Sequence, residues 1–149
     1  MYESVTHALI TAQVFSCFFM TGLIWLIQLV HYPAFYFIDP KSFLKFHAFH
    51  SQSITWIVGP VMGIELVTAI GLCLLRTQIV YINLFSVLVL WALTALVSVP
   101  IHIQLAKSLN LELVRQLIMT NWFRTCIWSL RALAMIDVTY NLLQNQKGV

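Results

Sequence analysis

The sequence predicts an all-α integral membrane protein, an antiparallel bundle of four transmembrane helices forming a single membrane domain over residues 1–149. Three observations carry that expectation. Hydrophobic residues make up 60% of the chain and charged ones 9%, whereas a soluble domain carries about 25% charge. Eight Lys or Arg and five Asp or Glu cannot wet the outer faces of the helices in so small a protein, which excludes a soluble enzyme, a secreted disulfide scaffold and a disordered tail. Four apolar stretches, 11–30, 53–75, 79–99 and 118–143, each reach the roughly 20 residues that cross a bilayer. The segments between them are short and hold the residues that start and stop helices.

Taken in order, residues 1–11 lack a basic run and contain Glu3. The apolar stretch that follows is longer than the core of a signal peptide, so it is expected to be a retained span. Pro33 closes that span. Asp39-Pro40 then offers an N-cap followed by proline at the first helical position, opening a helix that leads into the second span. Gly59-Pro60 lies inside that span and predicts a kink. Arg76-Thr77-Gln78 makes a polar turn before the third span, which is expected to end at Val99 because Pro100 disfavours helix there. Asn110 caps a connector, 111–116, that can run straight into the fourth span. Cys17, Cys73 and Cys126 sit in apolar runs without CxxC spacing and are expected to be small buried hydrophobes.

The net charge of +3 is scattered, with no Lys/Arg block. Nucleic acid is therefore not an expected partner, and the lipid bilayer is. Lys41, Lys45, Lys107 and Arg115 fall on one side of the four-span layout, against Arg76 and Lys147 on the other. The excess of basic residues puts the first side in the cytoplasm. The expected location is a bacterial inner membrane, with both termini on the opposite side.

Antiparallel order brings four places in the sequence to one face of the membrane: the end of span one, the start of two, the end of three and the start of four. Gln28 and His31, His47 and His50, His102, and Asn121 with Arg124 stand there. His7 alone lies at the other end. Thr94, Ser98 and His102 follow one helical face, as do Thr21, Gln28 and His31, and His47 and His50 are spaced i, i+3.

Three meanings compete for these residues. His31, His47, His50 and His102 have the makings of a transition-metal site, since neutral imidazole suits Zn, Cu, Fe or Ni. Two of them, His31 and His102 among the candidates, can instead ligate haem b, with Lys45 or Arg124 near its propionates; beside either cofactor Asn121 and Arg124 are expected to orient a substrate or an anionic group. The third meaning is structural or a simple polar pocket: histidines collect at membrane interfaces, where ring body and polar tip each find a medium.

Glu65 and Arg131 lie near the middles of spans two and four. A charge at that depth costs about 2.5 to 3.5 kcal/mol and seeks a partner, so the two are expected to form a buried ion pair. Asp137 is closer to the far interface. The tryptophans are expected to face lipid or to pack, and Tyr32, Phe35, Tyr36, Phe37, Phe43, Phe46 and Phe49 likewise, marking an amphipathic segment that lies at the membrane surface.

The string His31-Tyr32-Pro33, the Phe46 to His50 run, Gly59-Pro60 with Glu65, Val99 to His102, and Thr120 to Thr125 followed by Trp128 and Arg131 resemble small bacterial four-helix integral membrane proteins of unassigned function. The Asn121-Trp122-Phe123-Arg124 element at the start of the last helix is also similar to anthrone oxygenase-like membrane proteins. That likeness implies oxidative chemistry and carries over no catalytic residue. Two functions follow as expectations. One is a redox protein holding a metal or haem in the histidine site; the other is a non-catalytic transmembrane subunit of a larger membrane complex or a homo-oligomer. No hydrolase nucleophile, phosphate loop or dinucleotide fingerprint is present in the sequence.

Overall fold

The computed structural model describes residues 2–74 and 79–147; the Arg76-Thr77-Gln78 turn lies outside them. Among the described residues there is no strand, so the chain is all-α. Helix α1 (Tyr2–Leu26) passes through a widened π turn (Ile27–His31), a short α2 (Tyr32–Ala34) and a 3-10 turn (Phe35–Phe37). Next come α3 (Pro40–Leu74) and α4 (Ile79–Leu93). A second π turn (Thr94–Ser98) leads into α5 (Val99–Leu105), and α6 (Leu111–Lys147) ends the chain.

Three stretches, Glu3–Phe37, Pro40–Leu74 and Tyr81–Leu105, are long and apolar enough to cross a membrane. The chain is thus of the multi-pass membrane class. Helix α6 is not one of the three, because Arg124, Arg131 and Asp137 lower its mean hydropathy.

Local chemistry explains where the helices begin. The Asp39 carboxylate accepts from the Lys41 backbone N–H at 2.8 Å, capping α3 with Pro40 in its first position. Asn110 does the same for α6, its side-chain oxygen accepting from the N–H groups of Glu112 at 2.9 Å and Leu113 at 3.3 Å. One turn on, Arg115 donates twice to Glu112 at 2.9 Å, and that contact holds the exposed carboxyl below its ordinary range.

Helix α3 is continuous through Pro60, while one expectation about prolines needs revision. The third span does not stop at Val99 but continues to Leu105. The cause is the π turn: Val99 N–H bonds back to the Thr94 carbonyl, five residues earlier, and Pro100 falls in the opening turn of α5, where its missing N–H does little harm. The first rod uses the same device, with Tyr32 N–H bonding to the Ile27 carbonyl immediately before Pro33. In both places the extra residue shifts the helical register, and a histidine, His31 or His102, stands beside the shift.

The core is built around Met20, Ile24, Phe35, Phe43, Leu90 and Trp128, each at most 1% exposed. Polar contacts pin the rods side by side. Thr68 donates to Gln13 at 2.7 Å, and a Cβ on Gly71 would stand 3.1 Å from Leu9. Thr21 donates to the Trp128 carbonyl at 3.2 Å, and Trp25 to Ser129 at 3.0 Å. Of the cysteines, Cys17 is buried, Cys73 is half-buried and Cys126 is exposed, all as free thiols. The expectation of three buried cysteines therefore fails for Cys126, which lies on the outward face of α6.

Candidate functional site: a histidine cluster beside a buried guanidinium

His31 comes from the first π turn, His47 and His50 from the first turns of α3, and His102 from α5. The four rings pack together. His31 and His50 are 4.1 Å apart between ring centres, His47 and His102 5.3 Å, His50 and His102 5.6 Å, and His47 and His50 6.5 Å. The phenyl ring of Phe35 supports them, its centre within 6.0 Å of the His31, His47 and His50 centres. His7, by contrast, is exposed on α1.

The nitrogens divide into two groups. His47 Nε2 meets His102 Nδ1 at 3.1 Å, and the other nitrogen of His102, Nε2, meets the Tyr32 hydroxyl at 3.3 Å. Tyr32, His102 and His47 thus form a continuous hydrogen-bonded row in which His102 uses both ring nitrogens. His31 Nε2 and His50 Nε2 are buried with no hydrogen-bond partner among the described residues. An imidazole nitrogen left in that state costs about 1 to 3 kcal/mol, and four rings brought together with two of their nitrogens unmet are a poor arrangement for stability alone.

Tyr32, Phe35 and Phe43 are at most 4% exposed and form the inward face of the aromatic stretch. Only Tyr36, Phe37 and Phe49 turn outward. The π turn and the 3-10 turn fold residues 27–37 inward over the start of α3, a change of direction that no periodicity signals.

Asn121 and Arg124 belong to an adjoining polar layer. Arg124 Nη1 donates to Ser98 at 3.0 Å and to Asn121 Oδ1 at 3.2 Å. Asn121 Nδ2 donates to Gln28 at 2.8 Å, and Gln28 donates to the Ile118 carbonyl at 3.2 Å. The guanidinium lies 5.4 Å from the centre of the Trp128 ring and within electrostatic reach of Tyr32 and His102. It is 5% exposed, and among the described residues its Nε has no partner and no carboxylate pairs with it.

Glu65 and Arg131 form a separate centre deeper in the bundle. Arg131 Nη1 donates to Glu65 Oε1 at 2.7 Å, and Trp128 Nε1 donates to Glu65 Oε2 at 3.1 Å. Arg131 also donates to Asn83 Oδ1 from Nε at 3.3 Å and from Nη2 at 3.1 Å. Trp128 and Asn83 were not singled out in the sequence as polar partners. Trp128 looks like one of several lipid-facing tryptophans, and Asn83 is a single amide in an apolar run. The signal for them is the pair itself: a buried carboxylate needs a further donor and a buried guanidinium a further acceptor, since the two cannot satisfy each other completely.

A groove of about 310 Å³ opens beside the histidines, lined by His47 and His102 together with Ser51, Thr55, Val99 and Ala106. Among the described residues no group of three or more His, Cys, Asp or Glu side chains stands in ligating geometry as it is. The His47–His102 pair is the portion with two donor nitrogens already facing each other. Comparison with protein-family models, curated proteins and solved structures gave no match.

Proposed function

We propose that the chain is a four-span membrane protein whose histidine cluster binds one transition-metal ion, with Arg124 and Asn121 orienting an anionic or strongly polar group of a substrate next to it. One observation carries this reading: the 3.1 Å contact between His47 Nε2 and His102 Nδ1. Two imidazoles bound to one ion at about 2.0 to 2.1 Å have donor nitrogens roughly 3 to 3.4 Å apart. The hydrogen-bonded pair therefore has the spacing of a ligated pair, with a proton between the nitrogens in place of the metal. Tyr32 supports the same reading, because a ligating histidine ordinarily gives its second N–H to an oxygen acceptor, and His102 Nε2 has one. His31 and His50 supply further nitrogens after a ring rotation. The groove beside His47 and His102 gives a small substrate a way to the ion, which suits redox chemistry.

An ion fits this cluster better than haem does. The ring pairs His31–His50, His47–His50, His47–His102 and His50–His102 lie 4.1 to 6.5 Å apart between centres, too close for a porphyrin to stand between the two members of any of these pairs.

Helix α6 is the fourth span in this proposal. Its exposed residues include Met119, Phe123, Leu130, Leu133 and Ile136, and its buried ones include Asn121, Arg124, Thr125 and Arg131. Apolar residues outward and polar ones inward is a pattern for lipid, not water. Contacts that pair Gln13 with Thr68, Thr21 with the Trp128 carbonyl, and Arg124 with Ser98 support an antiparallel order. The exposed Lys41, Lys45, Lys107 and Arg115 support a cytoplasmic histidine end.

Purified protein titrated with Co(II) is the test. The expected result is one bound equivalent with ligand-field absorption, weakened as pH falls because protons compete for the ring nitrogens, and lost in His47→Ala and His102→Ala. Equal cobalt retention by wild type and both variants sinks the metal reading.

A further inference from the structure

The groove of about 310 Å³ beside His47 and His102 lies between α3 and α5, and its volume is at the lower end of the range for small-molecule sites. It runs for about 10 Å along the two helices, from Ala48 and Ala106 at their ends to Thr55 and Val99 two turns further in. Ala48, Thr55, Val99, Ile103 and Ala106 are all exposed, so the groove opens on the outside of the bundle. Helices α3 and α5 belong to stretches that are long and apolar enough to cross a membrane, Pro40–Leu74 and Tyr81–Leu105. Outside a gap between two such helices stands lipid.

Towards the start of α3 the histidines are covered by aromatic rings. Phe43, one turn before His47, stacks on it with ring centres 5.7 Å apart, and Phe46 stacks on His31 at 6.1 Å. Phe35 packs against His47 at 6.0 Å and His50 at 5.4 Å. Phe35 and Phe43 are fully buried. These rings fill the space between the histidines and the helix start, whereas the groove reaches His47 and His102 directly. Among the described residues no Asp, Glu, Lys or Arg lines it, so a charge carried into the groove away from the ion would be desolvated without a partner.

We propose that the substrate of the histidine site is a neutral, lipid-soluble molecule with a hydroxyl at one end, entering sideways from the bilayer between α3 and α5. Its oxygen meets the ion at His47 and His102, and its apolar body lies along Ile54, Val99 and Ile103. A hydroxyl crosses lipid uncharged and still offers the ion an oxygen. Such a substrate presupposes the ion of the proposed function, to which it adds a chemical class and a route.

The test titrates Co(II)-loaded full-length protein in lipid nanodiscs with two probes. One is para-hexylphenol; the other is para-hydroxybenzenesulfonate, which presents the same oxygen on a charged, water-soluble body. The cobalt ligand-field bands are the readout. Hexylphenol is expected to shift them saturably, and the sulfonate to leave them unchanged at about ten times the concentration. A106F narrows the groove from the α5 side and should abolish the hexylphenol shift while the cobalt bands remain. T55F fills the deep half from α3 with the same expected result, so the proposal stays testable if one variant does not fold. No response to hexylphenol, equal shifts by the two probes, or a shift unchanged in a folded variant overturns the substrate class and leaves the metal reading standing. Absence of cobalt bands from wild type is the failure of the metal reading itself, and the substrate falls with it.

Discussion

Arg131 on α6 and Glu65 on α3 are joined at 2.7 Å, with side chains 6% and 1% exposed. Trp128 and Asn83 take up the remaining oxygen of one and the remaining donors of the other. The pair is thus embedded in a polar unit spread over three helices, in which each charge depends on the rest. Replacing Arg131 with Ala should cost about 3 to 5 kcal/mol, because the carboxylate is left buried and uncompensated. Unfolding in mild detergent measures it, and the Glu65→Leu/Arg131→Leu double variant should recover much of the loss. Strict additivity of the two single losses would show that the residues do not interact.

The Trp128 indole is the less obvious half of that unit. Trp128→Phe keeps most of the packing volume and removes the N–H that Glu65 Oε2 accepts at 3.1 Å. The expected loss is about 1 to 3 kcal/mol, and it should disappear when Glu65 is already Leu. A loss that persists at full size in the Glu65→Leu background would assign it to packing.

Tyr32 reaches His102 through one hydroxyl at 3.3 Å. Tyr32→Phe should leave the fold intact and weaken metal binding about 10-fold to 100-fold, the usual effect of removing a residue that orients a ligand. Cobalt titration of the variant measures this. An unchanged affinity would show that Tyr32 only packs against the ring.

Much of this arrangement can be read from spacing, and the exceptions have a common cause. The i, i+3 placement of His47 and His50 depends only on helical periodicity. That the histidines share one end depends only on the order of the spans. Which aromatic residues face the core is less legible: two successive irregular turns, Ile27–His31 and Phe35–Phe37, rotate Tyr32 and Phe35 inward, and nothing in a helical pattern marks a π turn. The same insertion at Thr94–Ser98 carries the third helix past Pro100. Asn83 escapes notice for another reason: a lone amide gains significance only when a buried arginine is known to lie opposite.

Arg124 and Arg131 lie two turns apart on α6 and should respond in opposite ways. Arg131 has Glu65, whereas among the described residues Arg124 meets neutral groups, Ser98, Asn121 and the Tyr32 hydroxyl, besides the face of Trp128. A buried cation without a carboxylate is costly to the folded state, so Arg124→Met should leave thermal stability unchanged or higher while removing the capacity to orient an anionic group. The measurement is unfolding temperature alongside binding of a small carboxylate to metal-loaded protein. A loss of stability as large as that of Arg131→Ala would mean that Arg124 is a structural cation and not a ligand-binding one.

The proposed orientation in the membrane rests in part on the exposed lysines that follow Asp39. Lys41 and Lys45 are on the first turns of α3, both exposed, and the capping bond from Lys41 N–H to Asp39 fixes where that helix emerges. Basic residues near span ends are retained on the cytoplasmic side, so Lys41→Cys in a background without the native cysteines should react with a membrane-impermeant maleimide only after cells are opened. The histidine cluster would then draw its metal from the cytoplasm, since His47 stands on the same helix less than two turns further in. Labelling of Lys41→Cys in intact cells would reverse both the topology and the side from which the metal arrives, while leaving the geometry of the His47–His102 pair untouched.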